Sequence, residues 1–284
     1  MTPQPRSWLY VPGHRVDRLD KAMMAGADAV VVDLEDAVPI EQKSAARAGA
    51  VDLLHRNAGA DRLIWVRVNA PGSVEWAADL AALAGTSATG LRVPRAVDPE
   101  LVRETAARSG LSLQLLIESA RGLQAVDELA TADPAVRGVG LGETDLSADL
   151  MVEEDGLDWA RGRVVLACRA AGLPSPVQSV WTQVADLDGL AATSRRARAQ
   201  GFFGRSVVHP RQIAVVHEVF TPTATEVADA EAVVARAERG RDTGETAVLD
   251  EQGRFIDPAV VARARVVLDR AARQAPSTSE KERR

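Results

Sequence analysis

Four polar stretches in this 284-residue sequence each sit in or directly after a short apolar run. They are Asp33-Leu34-Glu35-Asp36, Arg67 within Trp65-Val66-Arg67-Val68-Asn69, Glu118 after Leu115-Leu116-Ile117, and Gly142-Glu143-Thr144-Asp145. Glu118 and Asp145 are hard oxygen donors; with water and substrate oxygens, two such carboxylates make the octahedral shell that Mg2+ prefers. The 4 His and 1 Cys are scattered and supply no zinc-type set. Either acid alone could equally be a solvated loop residue or a helix cap, so the metal reading rests on their joint placement. Arg67 is a charge inside an apolar strand, and a buried guanidinium needs a carboxylate. The partner is either Asp33, Glu35 or Glu118 of the protein, or the carboxylate of a substrate. Asp33 and Glu35 alternate to one side. With Asp36 they form either a polar turn capping the next helix or a support for the metal and Arg67. His14 and His209 have no evident partner, so neither is read as a general base.

To act together these residues need a fold in which strand ends converge. Runs rich in Val, Ile and Leu occur at 8–11, 29–34, 63–68, 90–93, 113–117, 138–141, 176–180 and 202–208. Consecutive apolar positions such as Val30-Val31-Val32 fit strands covered on both faces, as in a parallel sheet with crossover helices. Helical spacing fills the intervals at 17–27, 41–57, 73–84, 99–109, 121–130, 158–171 and 186–200. Eight βα repeats in roughly 210 residues predict a (β/α)8 TIM barrel, since a doubly wound sheet usually has fewer strands. In such a barrel the chemistry lies in the loops after the strands, where the polar stretches fall. Beyond His209-Pro210 the pattern changes to helices at 211–220 and 225–239, a hairpin-like 246–256 and a last helix at 258–273. The expected organisation is therefore a barrel over 1–220, an appended segment over 221–274 and a disordered tail over 275–284.

Composition narrows the function classes. The formal net charge of -6 argues against a polyanion recognised by bulk charge, so no nucleic acid partner is expected. No window approaches ~18 uninterrupted apolar residues, so no membrane span is expected. The single Cys168 forms no intramolecular disulfide, and the first residues lack the order of a secretory signal, which together suggest a cytoplasmic protein. There is no GxSxG elbow, and Gly138-Val139-Gly140-Leu141-Gly142 falls inside a strand without the spacing of a nucleotide fingerprint. Serine hydrolase and hydride-transfer chemistry recede accordingly.

Several segments also spell a known pattern: Arg6 to Gly13 (RSWLYVPG), Gly26 to Ala29 leading to Asp33-Leu34-Glu35-Asp36-Ala37-Val38, Val66-Arg67-Val68-Asn69, Ile117 to Gly122 (IESARG) and His209 to Ile213 (HPRQI). From Arg6 to the last helix the chain resembles the citrate lyase β subunit and its malyl-CoA and citramalyl-CoA lyase relatives, within the HpcH/HpaI aldolase/citrate lyase superfamily. The resemblance implies a cytoplasmic, usually homotrimeric (β/α)8 barrel with a C-terminal helical lid that closes over a neighbouring subunit. It implies a carbon–carbon lyase (an oxo-acid-lyase) that uses Mg2+, or Mn2+, to cleave citryl-, malyl- or citramalyl-CoA to acetyl-CoA and a 2-oxo acid such as oxaloacetate. Carried over by position, Glu118 and Asp145 hold the metal, Arg67 stabilises the thioester enolate, and Asp257 of the lid is the acid/base. By itself Asp257, before Pro258, reads as a helix N-cap. Backbone at Pro12, Gly13, Gly142, Glu143 and Thr144 grips the 2-oxo acid, and Arg95 takes the place of a substrate-binding lysine, while Asp33, Glu35 and Asp36 support the site.

Three departures bear on the substrate. Val93-Pro94-Arg95 stands where such relatives usually have Leu-Pro-Lys, Phe203 and Arg205 replace the acid and lysine of Gly-Phe-Asp-Gly-Lys, and Glu143-Thr144-Asp145 replaces Ala-Glu-Asp. Arg and Lys are not equivalent at an anion site. A CoA-independent 2-oxo acid aldolase, a malyl-CoA thioesterase, and a subunit active only in a complex with an acyl-carrier protein therefore remain as alternatives.

Overall fold

In the computed structural model, residues 4–242, 247–250 and 252–274 are described. Among them, strands β1 (Ser7–Pro12), β2 (Ala29–Asp33), β3 (Leu63–Arg67), β4 (Gly90–Val93), β5 (Ser112–Ile117), β6 (Val136–Leu141) and β7 (Arg205–Val207) form one sheet, in the order β6-β5-β4-β3-β2-β1-β7. Every pairing in it is parallel. Helices α1 (Val16–Met23), α2 (Lys43–Arg56), α3 (Val74–Leu83), α4 (Pro99–Ser109), α5 (Ala120–Gln124), α6 (Val126–Ala130), α7 (Glu143–Leu150), α8 (Asp158–Ala170) and α9 (Leu187–Gln200) lie between strands. The pattern of 121–130 suggests one helix, but the chain breaks it at Ala125; α7 was not legible as a helix at all.

The strands are buried on both faces. Leu9, Val11, Val30, Val32, Val66, Leu91, Val93 and Leu115 are at most 4% exposed on one face, and each such side chain is worth ~1.5–3 kcal/mol against its exposed state. The register puts Trp8, Tyr10, Val31, Asp33, Trp65, Arg67 and Arg92 on the other face. That face curls around itself. Arg92 Nη1 on β4 donates to Ser206 Oγ on β7 at 3.0 Å, although β3, β2 and β1 stand between those strands in the ladder.

The run at 176–180 is not a strand. Pro176 removes an amide donor from this stretch, and Pro174 removes another just before it. It holds to β7 through Gln178 N–H to Gly204 O (3.1 Å) and Ser206 N–H to Gln178 O (2.9 Å). Toward β6 a side chain replaces the ladder: Ser179 Oγ donates to Leu141 O at 2.5 Å and accepts from Glu143 N at 3.1 Å. The hydrogen-bonded sheet thus has seven strands where the sequence suggests eight.

Gly90 shows how tightly the inner face is packed. A Cβ there would lie 2.4 Å from Ser112 O and 2.5 Å from Trp65 Cζ3. Trp65 is itself fixed against Trp8, with ring centroids 5.3 Å apart. Gly90→Ala is expected to lower unfolding stability by about 1–3 kcal/mol, read as a shifted denaturant midpoint, because neither a strand carbonyl nor a wedged indole can yield. The buried Cys168 gives a second expectation. Burial raises its thiol to about 11, so at pH 8 the native protein should resist alkylation that proceeds readily once urea unfolds it.

The chain divides into two compact units, one spanning Gln4–Glu218 and one beginning at Val219. The second contains α11 (Ala224–Asp242), an antiparallel pair β8 (Val248–Leu249) and β9 (Phe255–Ile256), and α12 (Pro258–Gln274), with α10 (Ile213–Phe220) leading into it. Val248, Ile256 and Val261 form its small core, with Val233, Val234 and Ala237 packed on them. The tail expected over 275–284 lies outside the described residues. No helix among the described residues is long and apolar enough to cross a membrane.

Candidate active site

The C-terminal ends of the strands open onto a cavity of about 580 Å3. Pro12, Asp33, Asp36, Arg67, Glu118, Gly142, Glu143, Thr144 and Asp145 all line it, so residues up to 133 positions apart meet in one place. Tyr10, Arg92, Ser179 and Ser206 line it as well.

Arg67 ends β3 beside Asp33 at the end of β2, its register partner. Nε and Nη2 donate to Asp33 Oδ1 and Oδ2, both at 2.7 Å, in a bidentate pair. Nη1 donates to Asp36 Oδ2 at 3.1 Å and lies 2.8 Å from Glu35 Oε2 out of hydrogen-bond alignment. Burial is the largest single influence and opposes the charge of this guanidinium, but the bonds to Asp33 and the charges of Asp33, Tyr10 and Glu35 together outweigh it, so its pKa rises. The guanidinium also lies over the Tyr10 ring at 5.3 Å. Of the three protein carboxylates proposed for Arg67, Asp33 and Glu35 are near; Asp36 takes the remaining place, and Glu118 makes no ion pair with it.

The loop after β2 is clamped from below. Lys43 of α2, 8% exposed, donates to Leu34 O at 2.7 Å, Glu35 O at 2.8 Å and Asn69 Oδ1 at 2.6 Å. Asn69 Nδ2 donates in turn to Leu34 O and to Asp79, which is fully buried. Burial pushes the Glu35 carboxyl up to about 8, with nearby Arg67 pulling the other way.

Glu118 leaves β5 with its side chain 7% exposed. Its Oε2 accepts the Arg95 amide at 2.9 Å, a contact made with Arg95 in the left-handed region at φ 49°. Burial raises this carboxyl to about 7, opposed by the Arg95 amide and Arg67 and reinforced by Asp145. Across from it Gly142 is obligatory, because a Cβ there would sit 2.5 Å from Glu118 Cγ and Oε1. Arg95 thus meets the site through its backbone, while its guanidinium is 61% exposed, 3.7 Å from Glu35 Oε1.

Gly142 also starts α7 without a side-chain cap. The Gly142 amide is taken by Ile117 O and that of Glu143 by Ser179 Oγ, leaving the next amides of the first turn as donors at the cavity. The Glu143 carboxylate is committed elsewhere: Arg161 Nε and Nη2, on a side chain 2% exposed, hold it at 3.0 and 2.6 Å. Gly13 is likewise engaged, donating its amide to Asp33 O at 2.8 Å and packing under Leu34 and Ala46. His209 Nδ1 accepts the Arg211 amide at 3.1 Å, the role of a cap. Asp257 belongs to the second unit, where Oδ1 accepts Val260 N at 2.9 Å and caps α12.

Sequence reasoning passed over Tyr10, Arg92, Ser179 and Ser206. Arg92, in Gly90-Leu91-Arg92-Val93, carries the same signal as Arg67, a charge inside an apolar run. The other three carry none.

Residues 6–210 match the model of the HpcH/HpaI aldolase/citrate lyase family. The chain is 36% identical to a citrate lyase subunit beta-like protein of Mycobacterium tuberculosis, covering 93% of this chain and 94% of that one. It is 28% identical to an L-malyl-CoA/beta-methylmalyl-CoA lyase of Cereibacter sphaeroides, with 94% of each covered. Among solved structures it resembles CitE of Mycobacterium tuberculosis in complex with magnesium, acetoacetate and coenzyme A, with a TM-score of 0.80 and 33% identity over 94% of this chain and 98% of that one. Another, the citrate lyase beta subunit of the same organism with oxaloacetate and magnesium, has a TM-score of 0.69 and 35% identity, over 76% of this chain and 97% of that one. A match over residues 6–210, through every strand end that lines the cavity, places this carbon–carbon lyase in the HpcH/HpaI aldolase/citrate lyase family.

Proposed function

We propose that the protein is a Mg2+-dependent lyase that cleaves a 3-hydroxyacyl-CoA of the citryl, malyl or citramalyl type to acetyl-CoA and a 2-oxo acid. The observation that carries this reading is the convergence of Glu118, Asp145 and Arg67 on one cavity. The donor set suits the ion. Glu118 is a buried carboxylate with no cationic side chain bonded to it, Asp145 faces the same cavity, and the missing Cβ of Gly142 lets the Glu118 carboxylate lie directly against the start of α7. When bound, Mg2+ supplies Lewis acidity toward the oxygens of the 2-oxo acid.

In the cleavage direction the hydroxyl proton of the substrate is lost and a carbon–oxygen double bond forms. The carbon–carbon pair passes to the thioester as an enolate, which then takes a proton to give acetyl-CoA. Arg67 supports that enolate with a charge kept at every working pH. Its Asp33 fork holds the guanidinium in place, while its contact to Asp36, a 54% exposed side chain, is the one a substrate oxygen can displace. The free first-turn amides of α7 take the carboxylate of the 2-oxo acid.

The remaining expectations belong to this reading too: closure of the curled sheet into a barrel through 176–180, a homotrimer, and a C-terminal lid that brings Asp257 to a neighbouring subunit's cavity as acid/base. The neighbour crystallised with magnesium, acetoacetate and coenzyme A supports the choice of metal and thioester.

The test is incubation of the purified protein with Mg2+ and each of the three thioesters, following release of the 2-oxo acid. One thioester is expected to turn over. Release of free CoA without a 2-oxo acid would identify a thioesterase instead, and turnover of only carrier-bound substrates a subunit of a larger assembly.

A further inference from the structure

Besides Arg67, Arg18 and Arg92 line the cavity, and Arg92 is a buried cation that the lyase reading leaves without a task. Arg92 is 2% exposed, yet among the described residues it makes no ion pair and one hydrogen bond, from Nη1 to Ser206 Oγ at 3.0 Å. Its Nε is buried and donates to nothing. The guanidinium is wedged between rings, 5.1 Å from the Trp8 centroid and 5.4 Å from that of Tyr10. It contrasts with Arg67, its register partner on the next strand: Arg67 is ion-paired with three carboxylates, whereas Arg92 is ion-paired with none and feels Glu118 only through its field.

A purely structural role explains this poorly. Contacts with two ring faces return less than the desolvation of a guanidinium costs, and an apolar side chain of the same length would fill the space without that cost. An uncompensated buried arginine on the wall of a cavity is instead the receptor expected for an anionic group that arrives with a ligand, and its planar donors suit a carboxylate.

Resting on the lyase reading, we propose that Arg92, steadied by Ser206 and Tyr10, binds a second carboxylate of the substrate and so selects a dicarboxylic 2-oxo acid over a monocarboxylic one. The two ends of such an acid find complementary charge in separate parts of one cavity. Its 2-oxo carboxylate goes to the free first-turn amides of α7, and its far carboxylate goes to the inner wall formed by Arg92, Tyr10 and Ser206. Arg92 acts on specificity and touches no reacting atom.

The experiment is calorimetric titration of the full-length protein, with Mg2+ present, using oxaloacetate and pyruvate as probes. Wild type, Arg92→Met and Arg92→Lys are compared. Wild type is expected to bind oxaloacetate about 10- to 100-fold more tightly than pyruvate, the span of one charge-assisted hydrogen-bonded contact. Arg92→Met should erase that ratio, leave pyruvate binding unchanged and keep or raise the melting temperature; Arg92→Lys should restore part of the ratio. Equal affinity of wild type for the two acids, or an equal loss for both in Arg92→Met, would overturn the assignment. A fall in melting temperature with the ratio intact would show a structural arginine and overturn it as well. Thioester turnover is scored separately. Turnover without oxaloacetate preference defeats the Arg92 assignment alone, and an Arg92-dependent preference without turnover defeats the lyase reading alone.

Discussion

Glu118→Gln is expected to abolish Mg2+-dependent turnover, with a loss of at least about 10³-fold, while the protein remains folded. The magnitude follows from the metal's share of the chemistry: Lewis-acid stabilisation is worth several kcal/mol, and each ~1.4 kcal/mol is a factor of ten in rate. The fold should survive because the change preserves shape. Oε2 of Glu118 accepts the Arg95 amide at 2.9 Å, and an amide oxygen can do the same. Burial already disfavours the ionised carboxylate, raising it to about 7, so a neutral amide relieves a desolvation cost. The expected result is an unchanged or higher melting temperature, together with weakened Mg2+ binding by calorimetry. A variant with full activity, or one that loses activity only because it unfolds, would remove Glu118 from the metal site.

The second large effect is expected at Arg67. Arg67→Lys keeps a positive charge but loses the fork that grips Asp33 Oδ1 and Oδ2 at 2.7 Å each. A lysine ammonium can meet one of those oxygens, and it then points its charge toward Asp33 rather than into the cavity. If the guanidinium stabilises an enolate, kcat should fall about 10²- to 10³-fold, the range for losing one donor aimed at developing negative charge, with a much smaller change in KM. Arg67→Ala is the poorer experiment. Asp33 is 2% exposed, and stripping its counter-charge should cost about 3–5 kcal/mol of stability on top of any catalytic effect. A Lys variant whose KM rises while kcat is retained would instead make Arg67 a residue for ground-state binding.

Much of this site was legible in the linear chain because the relevant signals are local. Val30-Val31-Val32 followed by Asp33 marks a two-sided strand ending in an acid within a few residues, and Ile117-Glu118 does the same. Arg67 was legible for the same reason: a lone charge in an apolar run must be paired. Its partners were only half legible. Asp33 follows from register, but Asp36 comes back to Nη1 because Lys43, Asn69 and buried Asp79 hold the loop in place, a network spread over three elements. The apolar pattern of 176–180 looks like a strand, yet Pro176 lacks an amide donor, and toward β6 the Ser179 hydroxyl stands in for the ladder; periodicity records side-chain burial and is blind to missing amides.

By itself, then, the sequence determined the alternation of strands and helices, the acids and arginine that stand at strand ends, and the family to which the chain belongs. These depend on neighbours within a turn or a strand, or on motifs read in order. The tertiary structure decided which charges are matched. It gave Arg67 three carboxylates, gave Glu143 to Arg161, and left Arg92 with a serine and two rings. That outcome depends on the curl of the sheet, which brings β4 to β7 across 114 residues of chain, and no local pattern encodes a contact made at that separation.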